Sequence, residues 1–470
     1  MTFITRNKTF KRIIIVLFWL ILWQIVTMLV SNKVMLAGPY EVLLSLIENV
    51  VKGQFWLSVL NSLLRIGAGF SAAFVMAVIM AAFSYKYALL EDFLNPLIGT
   101  LKSVPVASFV VLLLIWLGAR NLAFFVCFLI VLPSIYINTL EGLKATPKPL
   151  IEMAQCFHMP LWYRIRFIYK ESLMPFVNGS LKSALGMAWK SGVAAEVIGL
   201  PHNSIGEGLY MSKVYLETAD LFAWTIVTIL LSFLFEKLVL GIVRKIGEIK
   251  TFKPNSPVKT KTAGVGFQES NISVSFNDKK VLDNVSVTVS PAKAYCIEGV
   301  SGVGKTTLLK TIYKGVPKAS VVFQEDRLLE SRDALTNVCL CANLYSLPKC
   351  REVLEEVLPS GELTKPVSQF SGGMKRKVAL VRALMYDSGI LLLDEPFTGL
   401  DENSRMAAID LIKKYRNGRT LVLVSHNHED AAMLGAEVIN LGAVMPGAEV
   451  INLGAAMPGA EVIKPDAKKC

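Results

Sequence analysis

Residues 299–307 read GVSGVGKTT, directly after the apolar pentapeptide AYCIE (294–298) and running into TLLKTIY (307–313). The spacing is G-x-x-x-x-G-K-[ST], between a strand-like and a helix-like stretch, which is where such a loop folds around a phosphate. Gly302 and Gly304 let backbone N–H groups turn toward the anion, Lys305 has the reach for the β- and γ-phosphates, and the Thr306 hydroxyl suits Mg²⁺. Gly299, Ser301, Gly302, Val303, Gly304, Lys305, Thr306 and Thr307 are therefore the expected phosphate-binding residues, with ATP and Mg²⁺ as cofactors.

Downstream, ILLLDEP (390–396) ends an apolar run on Asp394 and Glu395. Two acids at the end of a buried strand are costly without a cation. One carboxylate can hold Mg²⁺ through water and the next can polarise an attacking water. Alone, such a pair is a weak signal, since roughly a third of strand-end acid pairs are only helix caps or ion-pair partners; the phosphate loop upstream changes that weighting. The surrounding runs ISVSF, VSVTVS, SVVF and TLVLVS read as strands separated by helical stretches, giving an α/β domain.

That domain fills less than half of the 470 residues. The whole chain is 53% hydrophobic with a mean hydropathy of +0.49, too apolar for a wholly soluble protein and too polar for one in lipid throughout. Charge-free or nearly charge-free runs occur at 13–30 and near 66–83, 104–118, 121–140 and 221–235. A further run, 176–199, is interrupted by Lys182 and Lys190, which makes six expected spans. Basic clusters precede the first span (Arg6, Lys8, Lys11, Arg12), separate the fourth from the fifth (Lys144, Lys148, Arg164, Arg166, Lys170) and follow the sixth (Arg244, Lys245, Lys250, Lys253). Six spans put all three on the cytoplasmic side. The net charge of +12 is read as this topological signal, and no nucleic-acid partner is expected. Seven cysteines without a CxxC pair read as reduced and structural.

FSGGM (370–374), just ahead of ILLLDEP, resembles the signature of ATP-binding cassette (ABC) ATPases, and the rest of that family's set is present in order. The resemblance implies that Gln324 in VVFQEDRLL is the Q-loop glutamine, serving catalysis and the metal alongside Thr306 and Asp394. It implies that Glu395 is the general base, His426 in LVSHN the switch histidine, Asp401 in FTGLD the D-loop aspartate and Phe276 the adenine-stacking aromatic. Ser371, Gly372 and Gly373 would contact ATP bound to the opposite subunit. Two departures are visible: Lys305 and Gln324 are only 19 positions apart, where the family usually carries extra β-strands, and Phe and Met flank the signature where Leu and Gln are commoner.

The stretch IEMAQCFHMPLWYRIRFIYKESLMP (151–175) is similar to the cytoplasmic EAA loop of importer permeases. Glu152 and Ala154 match the start of that motif and His158 stands where Gly is usual, so these three are expected to couple the domains; the other reading is a basic amphipathic loop on the membrane surface. SLLRIGAGF, VPVASFVVLLLIWLG, NTLEGLK and LGMAWKSGVAAEVIG resemble permeases of nitrate, sulfonate and taurine importers, a family that also carries vitamin precursors. Lys182 and Lys190 lie eight residues apart, about 12 Å along a helix and within roughly 80° around it. Either Lys190 lines a translocation path, or Lys182 snorkels to the interface and Lys190 pairs with a carboxylate such as Glu196 or a partner-chain group.

The expected architecture is a six-span α-helical type I importer permease (1–249, coupling loop 142–174), a linker (250–266), an α/β P-loop ATPase (267–440) and a twelve-residue repeat with a tail (435–470). The repeat, GAEVINLGAVMP then GAEVINLGAAMP then GAEVI, reads as tandem duplication of a terminal strand and turn. The resemblance implies a homodimer, or a pairing with a related half, in a bacterial inner membrane, its ATPase domains cytoplasmic, fed by an extracytoplasmic solute-binding protein. The competing readings are an exporter half and an ATP-gated membrane regulator.

Overall fold

The computed structural model describes residues 8–30, 32, 34–248, 263–276, 279–342, 345–441, 450–453 and 462–463. By internal packing the chain divides into two units, 1–145 with 171–249 and 146–170 with 250–470. The first is all helix: α1 (Lys8–Val30), α2 (Pro39–Val51), α3 (Gly53–Lys86), α4 (Ala88–Ser103) and α5 (Val106–Lys144). After α6 (Lys148–Cys156) and α7 (Leu161–Arg164), which belong to the second unit, it resumes with α8 (Lys170–Gly199), α9 (Ile205–Val214) and α10 (Thr218–Glu248).

Among the described residues four helices are long and apolar enough to cross a membrane, within α1, α3, α5 and α10. The expected third and fourth spans, 104–118 and 121–140, both fall largely on α5, whose backbone leaves helical dihedrals at Gly118 (φ 73°, ψ 167°). The expected fifth lies in α8, whose lysines and polar residues keep it out of that set. The core of this unit is built on small residues: Gly69, Ala73, Ala77 and Ala81 recur every fourth position of α3, and a Cβ on Gly69 would meet the Phe124 carbonyl of α5 at 2.5 Å. Close backbone approach replaces the hydrophobic effect as the source of packing energy where lipid surrounds the helices.

In the second unit β1 (Gly266–Phe276) and β2 (Lys279–Val289) form an antiparallel pair. There follow β3 (Ala294–Glu298), α11 (Lys305–Gly315), β4 (Ala319–Val322), α12 (Ala334–Cys339), α13 (Leu347–Glu355), α14 (Gly372–Met385), β5 (Ile390–Asp394), α15 (Glu402–Tyr415), β6 (Thr420–Val424), α16 (His428–Leu434) and β7 (Glu437–Asn440). Strands β3 to β7 make one parallel sheet in the order β4-β5-β6-β3-β7. Strands β3, β4, β5 and β6 are buried at every residue, as a parallel sheet covered on both faces requires. The short interval from Lys305 to Gln324 holds only α11 and β4, and the antiparallel pair is supplied by β1 and β2 ahead of it.

Segments from the later repeat copies, β8 (Val450–Leu453) and β9 (Val462–Ile463), add in parallel to β2 and β1, while the first copy supplies β7; the rest of the repeat lies outside the described residues. The six described cysteines are free and buried, and Cys470 lies outside the described residues.

Candidate active site

The phosphate loop leaves the end of β3 and enters α11. Gly302 and Gly304 hold φ of 84° and 104°, the left-handed region where a side chain is strained. A Cβ on Gly304 would also sit 2.9 Å from Leu282 Cδ2. Ser301 and Gly302 are exposed, Gly299, Val303, Thr306 and Thr307 half-buried. Lys305 is buried and its Nζ donates to the carbonyls of Gly299 (2.7 Å) and Val300 (3.1 Å), so the ammonium lies across the loop it would share with a phosphate.

Asp394 ends β5, and its Oδ1 accepts from Thr306 Oγ1 at 3.3 Å. Burial pushes its carboxyl above the ordinary carboxylate range, against the Thr306 hydrogen bond, with Glu395 pushing the same way. A buried acid with one weak donor beside a second acid is a donor set that fits a divalent cation. Glu395 has a left-handed backbone, φ 47°. Its N–H donates to Val424 O (3.0 Å), Oε2 accepts from Thr398 Oγ1 (3.3 Å) and Oε1 lies 3.2 Å from His426 Nε2. The expected base and switch histidine are therefore in hydrogen-bond contact.

Gln324 is exposed just beyond β4. Ser371 caps α14, its Oγ accepting from Met374 N at 3.3 Å, and Ser371 and Gly372 are exposed at that helix start. Gly373 packs beside Gly399 and Leu400. Asp401 precedes α15, and a hydrogen bond from Ser404 holds its carboxyl below the ordinary range. Phe276 ends β1, and its side chain lies outside the described residues.

Two arginines of α14 were not singled out from the sequence. Arg376, within the basic run KRK, is buried and donates to Phe323 O (2.7 Å) and Gln324 O (2.5 Å), with Asp326 3.2 Å from its Nε. Arg382 is fully buried and donates to Arg327 O (2.8 Å) and Asp326 O (3.0 Å). The helix that begins at the signature thus clasps the backbone of the Q-loop. A basic triplet after a helix start reads as a solvated face, and only the partners inside the fold reveal otherwise.

The loop 146–170 packs with this unit. Met153, Ala154, Cys156, Phe157, Met159, Phe167 and Ile168 are buried in the same core cluster as Ile312, Ala319, Leu340 and Tyr386. At its edge Glu152 Oε2 meets Arg327 NH1 at 2.8 Å, and the Arg327 guanidinium stacks on the Phe323 ring at 3.8 Å. His158 has φ 47°, which explains why Gly is usual there, and its Nδ1 lies 3.1 Å from Tyr386 Oη.

In the helical unit Lys182 and Lys190 are both exposed on α8. Glu196 is not the partner of Lys190: it is fully buried, with Ser62 Oγ donating at 2.6 Å, Gly206 N at 3.3 Å and Arg65 at 3.5 Å.

A loop built for phosphates, a buried acid fit for a cation and a carboxylate–imidazole pair beside them define a P-loop ATPase. A family model described as ABC transporter matches residues 316–398, and one described as binding-protein-dependent transport system inner membrane component matches residues 73–247. The aliphatic sulfonates import ATP-binding protein SsuB 1 of Rhodococcus jostii is 35% identical over 38% of this chain and 79% of its own length. The taurine import ATP-binding protein TauB of Pseudomonas entomophila is 33% identical over 34% of this chain and 72% of its own. A solved dimeric cassette, MJ0796 bound to ADP and Pi, matches 37% of this chain and 94% of its own at 24% identity, with a TM-score of 0.33. The chain belongs to the ABC transporter family, with a permease region and an ATP-hydrolysing cassette in one polypeptide.

Proposed function

We propose that this chain is half of a homodimeric importer that uses ATP to move a small organic anion, of the aliphatic sulfonate or taurine kind, delivered by an extracytoplasmic binding protein. The membrane would be the bacterial inner membrane, with the cassettes on the cytoplasmic side. The observation that carries the reading is the packing of the EAA-like loop 146–170 into the core of the ATPase unit. Joined directly to α5 and α8, that loop ties the ends of two permease helices to the nucleotide site.

The phosphate loop, from Gly299 to Thr307, binds the triphosphate through its N–H groups and Lys305. Thr306, Asp394 and Gln324 would hold Mg²⁺, which would neutralise charge on the phosphates. Glu395 accepts the proton of the attacking water, and His426 keeps its carboxylate oriented through the 3.2 Å contact. Ser371, Gly372 and Gly373, exposed at the start of α14, complete the site of the second copy, and Asp401 sits beside them in the closed pair. Closure moves α14; Arg376 and Arg382 pull the Q-loop with it, and Arg327 with the buried face of the loop passes the motion to α5 and α8. Lys190, exposed on α8, faces the path of the anion.

The test is ATPase turnover of the purified chain in lipid vesicles, with and without candidate binding proteins and their solutes. Stimulation by a loaded binding protein is expected, whereas high turnover indifferent to all of them would favour the exporter or regulator reading.

A further inference from the structure

Strand β3 ends on an acid. Its first four residues, Ala294 to Ile297, are those of a buried strand, but the fifth, Glu298, directly precedes the phosphate loop and its side chain is only 8% exposed. Oε2 of Glu298 lies 2.6 Å from His428 Nδ1. Oε1 is buried with no hydrogen-bond partner among the described residues. His428 opens α16, two positions beyond His426. Both residues line an open cavity of about 630 Å³ together with Gly299, Val300, Ser425, His426 and Asn440. The acid therefore faces the same space as the first residues of the phosphate loop.

A buried carboxylate is costly unless paired, and one beside a triphosphate site opposes the ligand as well. The neighbouring charges are already engaged. Lys305 is on the loop carbonyls, Arg405 binds Asp430, Glu429 and Glu402, and His426 is on Glu395. Among the described residues, the basic side chain in contact with Glu298 is that of His428, 85% exposed, which carries a compensating charge when protonated.

We propose that Glu298 and His428 form a charge-compensated latch between the phosphate loop and the switch segment. With α16 seated, His428 answers the Glu298 charge and the loop accepts ATP; when α16 moves away, the bare carboxylate lowers ATP affinity. Nucleotide affinity is thereby tied to the position of the switch segment. His428 is a positioning residue and touches no reacting atom. The inference rests on the ATP-site reading above.

The experiment measures binding of a non-hydrolysable ATP analogue and of ADP to the full chain in vesicles, alongside kcat and KM. His428→Ala is expected to weaken the analogue about tenfold and ADP, which carries less charge, about threefold or less, with kcat within about twofold. Adding Glu298→Gln to that variant returns the analogue to within about twofold of wild type, because the charge being answered is gone. Equal loss for both nucleotides, unchanged affinity in His428→Ala, or no recovery in the double variant overturns the latch. Where His428→Ala fails to fold, Glu298→Gln alone decides: affinity at or above wild type supports the latch and a weaker one overturns it. Wild-type protein that binds neither nucleotide would instead sink the ATP-site reading itself.

Discussion

Glu395 holds a backbone conformation that costs of order 1–3 kcal/mol in a residue with a side chain. It persists because three contacts fix it, from its N–H to Val424 and from its carboxylate to Thr398 and His426. The carboxylate is thus aimed before any nucleotide arrives. Glu395→Gln should lower ATP turnover by about 10²–10⁴-fold while leaving nucleotide binding intact, checked by phosphate release beside equilibrium binding; unchanged turnover would remove Glu395 from the base role. Arg376 is the stronger test of how the site is held together. Arg376→Ala strips the Phe323 and Gln324 carbonyls of a buried charged donor, worth about 1.5–3 kcal/mol per bond, and should cut turnover and lower the melting temperature. Arg376→Lys should not restore either, because one ammonium cannot span both carbonyls and Asp326. At this scale the sequence motifs named the phosphate loop, Asp394, Glu395 and His426, and the structure sets Thr306 beside Asp394 and His426 beside Glu395. Arg376, Arg382, Glu298 and His428 were not named, because their roles depend on which loop or strand end lies opposite them.

Among the elements, α6 and the turns after it are, on the proposed reading, the link between permease and cassette. The Glu152–Arg327 pair has its carboxylate 59% exposed and, like most exposed pairs, is worth about 0–1 kcal/mol. Phe157 and Phe167 are nearly fully buried, and truncating a buried phenylalanine costs about 3–5 kcal/mol. Phe157→Ala should therefore separate ATP hydrolysis from transport, while Glu152→Ala should leave the two nearly coupled; parallel uptake and ATPase assays check this, and equal effects would contradict it. The sequence identified this loop through Glu152, Ala154 and the position of His158, but placed it by chain order within the permease domain. Its burial in the ATPase unit depends on apolar residues spaced by prolines and a π-helical turn at Ile165–Tyr169, which follow no single period. The break at Gly118, by contrast, falls where hydropathy already ends one run at 118 and begins the next at 121, although what hydropathy registers there is the Arg120 charge and not the backbone dihedral.

At the scale of the whole molecule, one polypeptide joins a permease region and a cassette, and the signature residues at the start of α14 are exposed in the single chain. An ABC transporter of this kind works as a dimer, and on the proposed reading a second copy brings these residues to a phosphate and completes two composite sites. The most direct measurement is the sidedness of transport in vesicles holding the full chain, an extracytoplasmic binding protein and a labelled aliphatic sulfonate. An importer accumulates the label on the side that carries the ATPase domain, only with ATP present there, and Glu395→Gln abolishes the accumulation. ATP-driven movement of the label away from that side, or ATP hydrolysis with no movement at all, would contradict import.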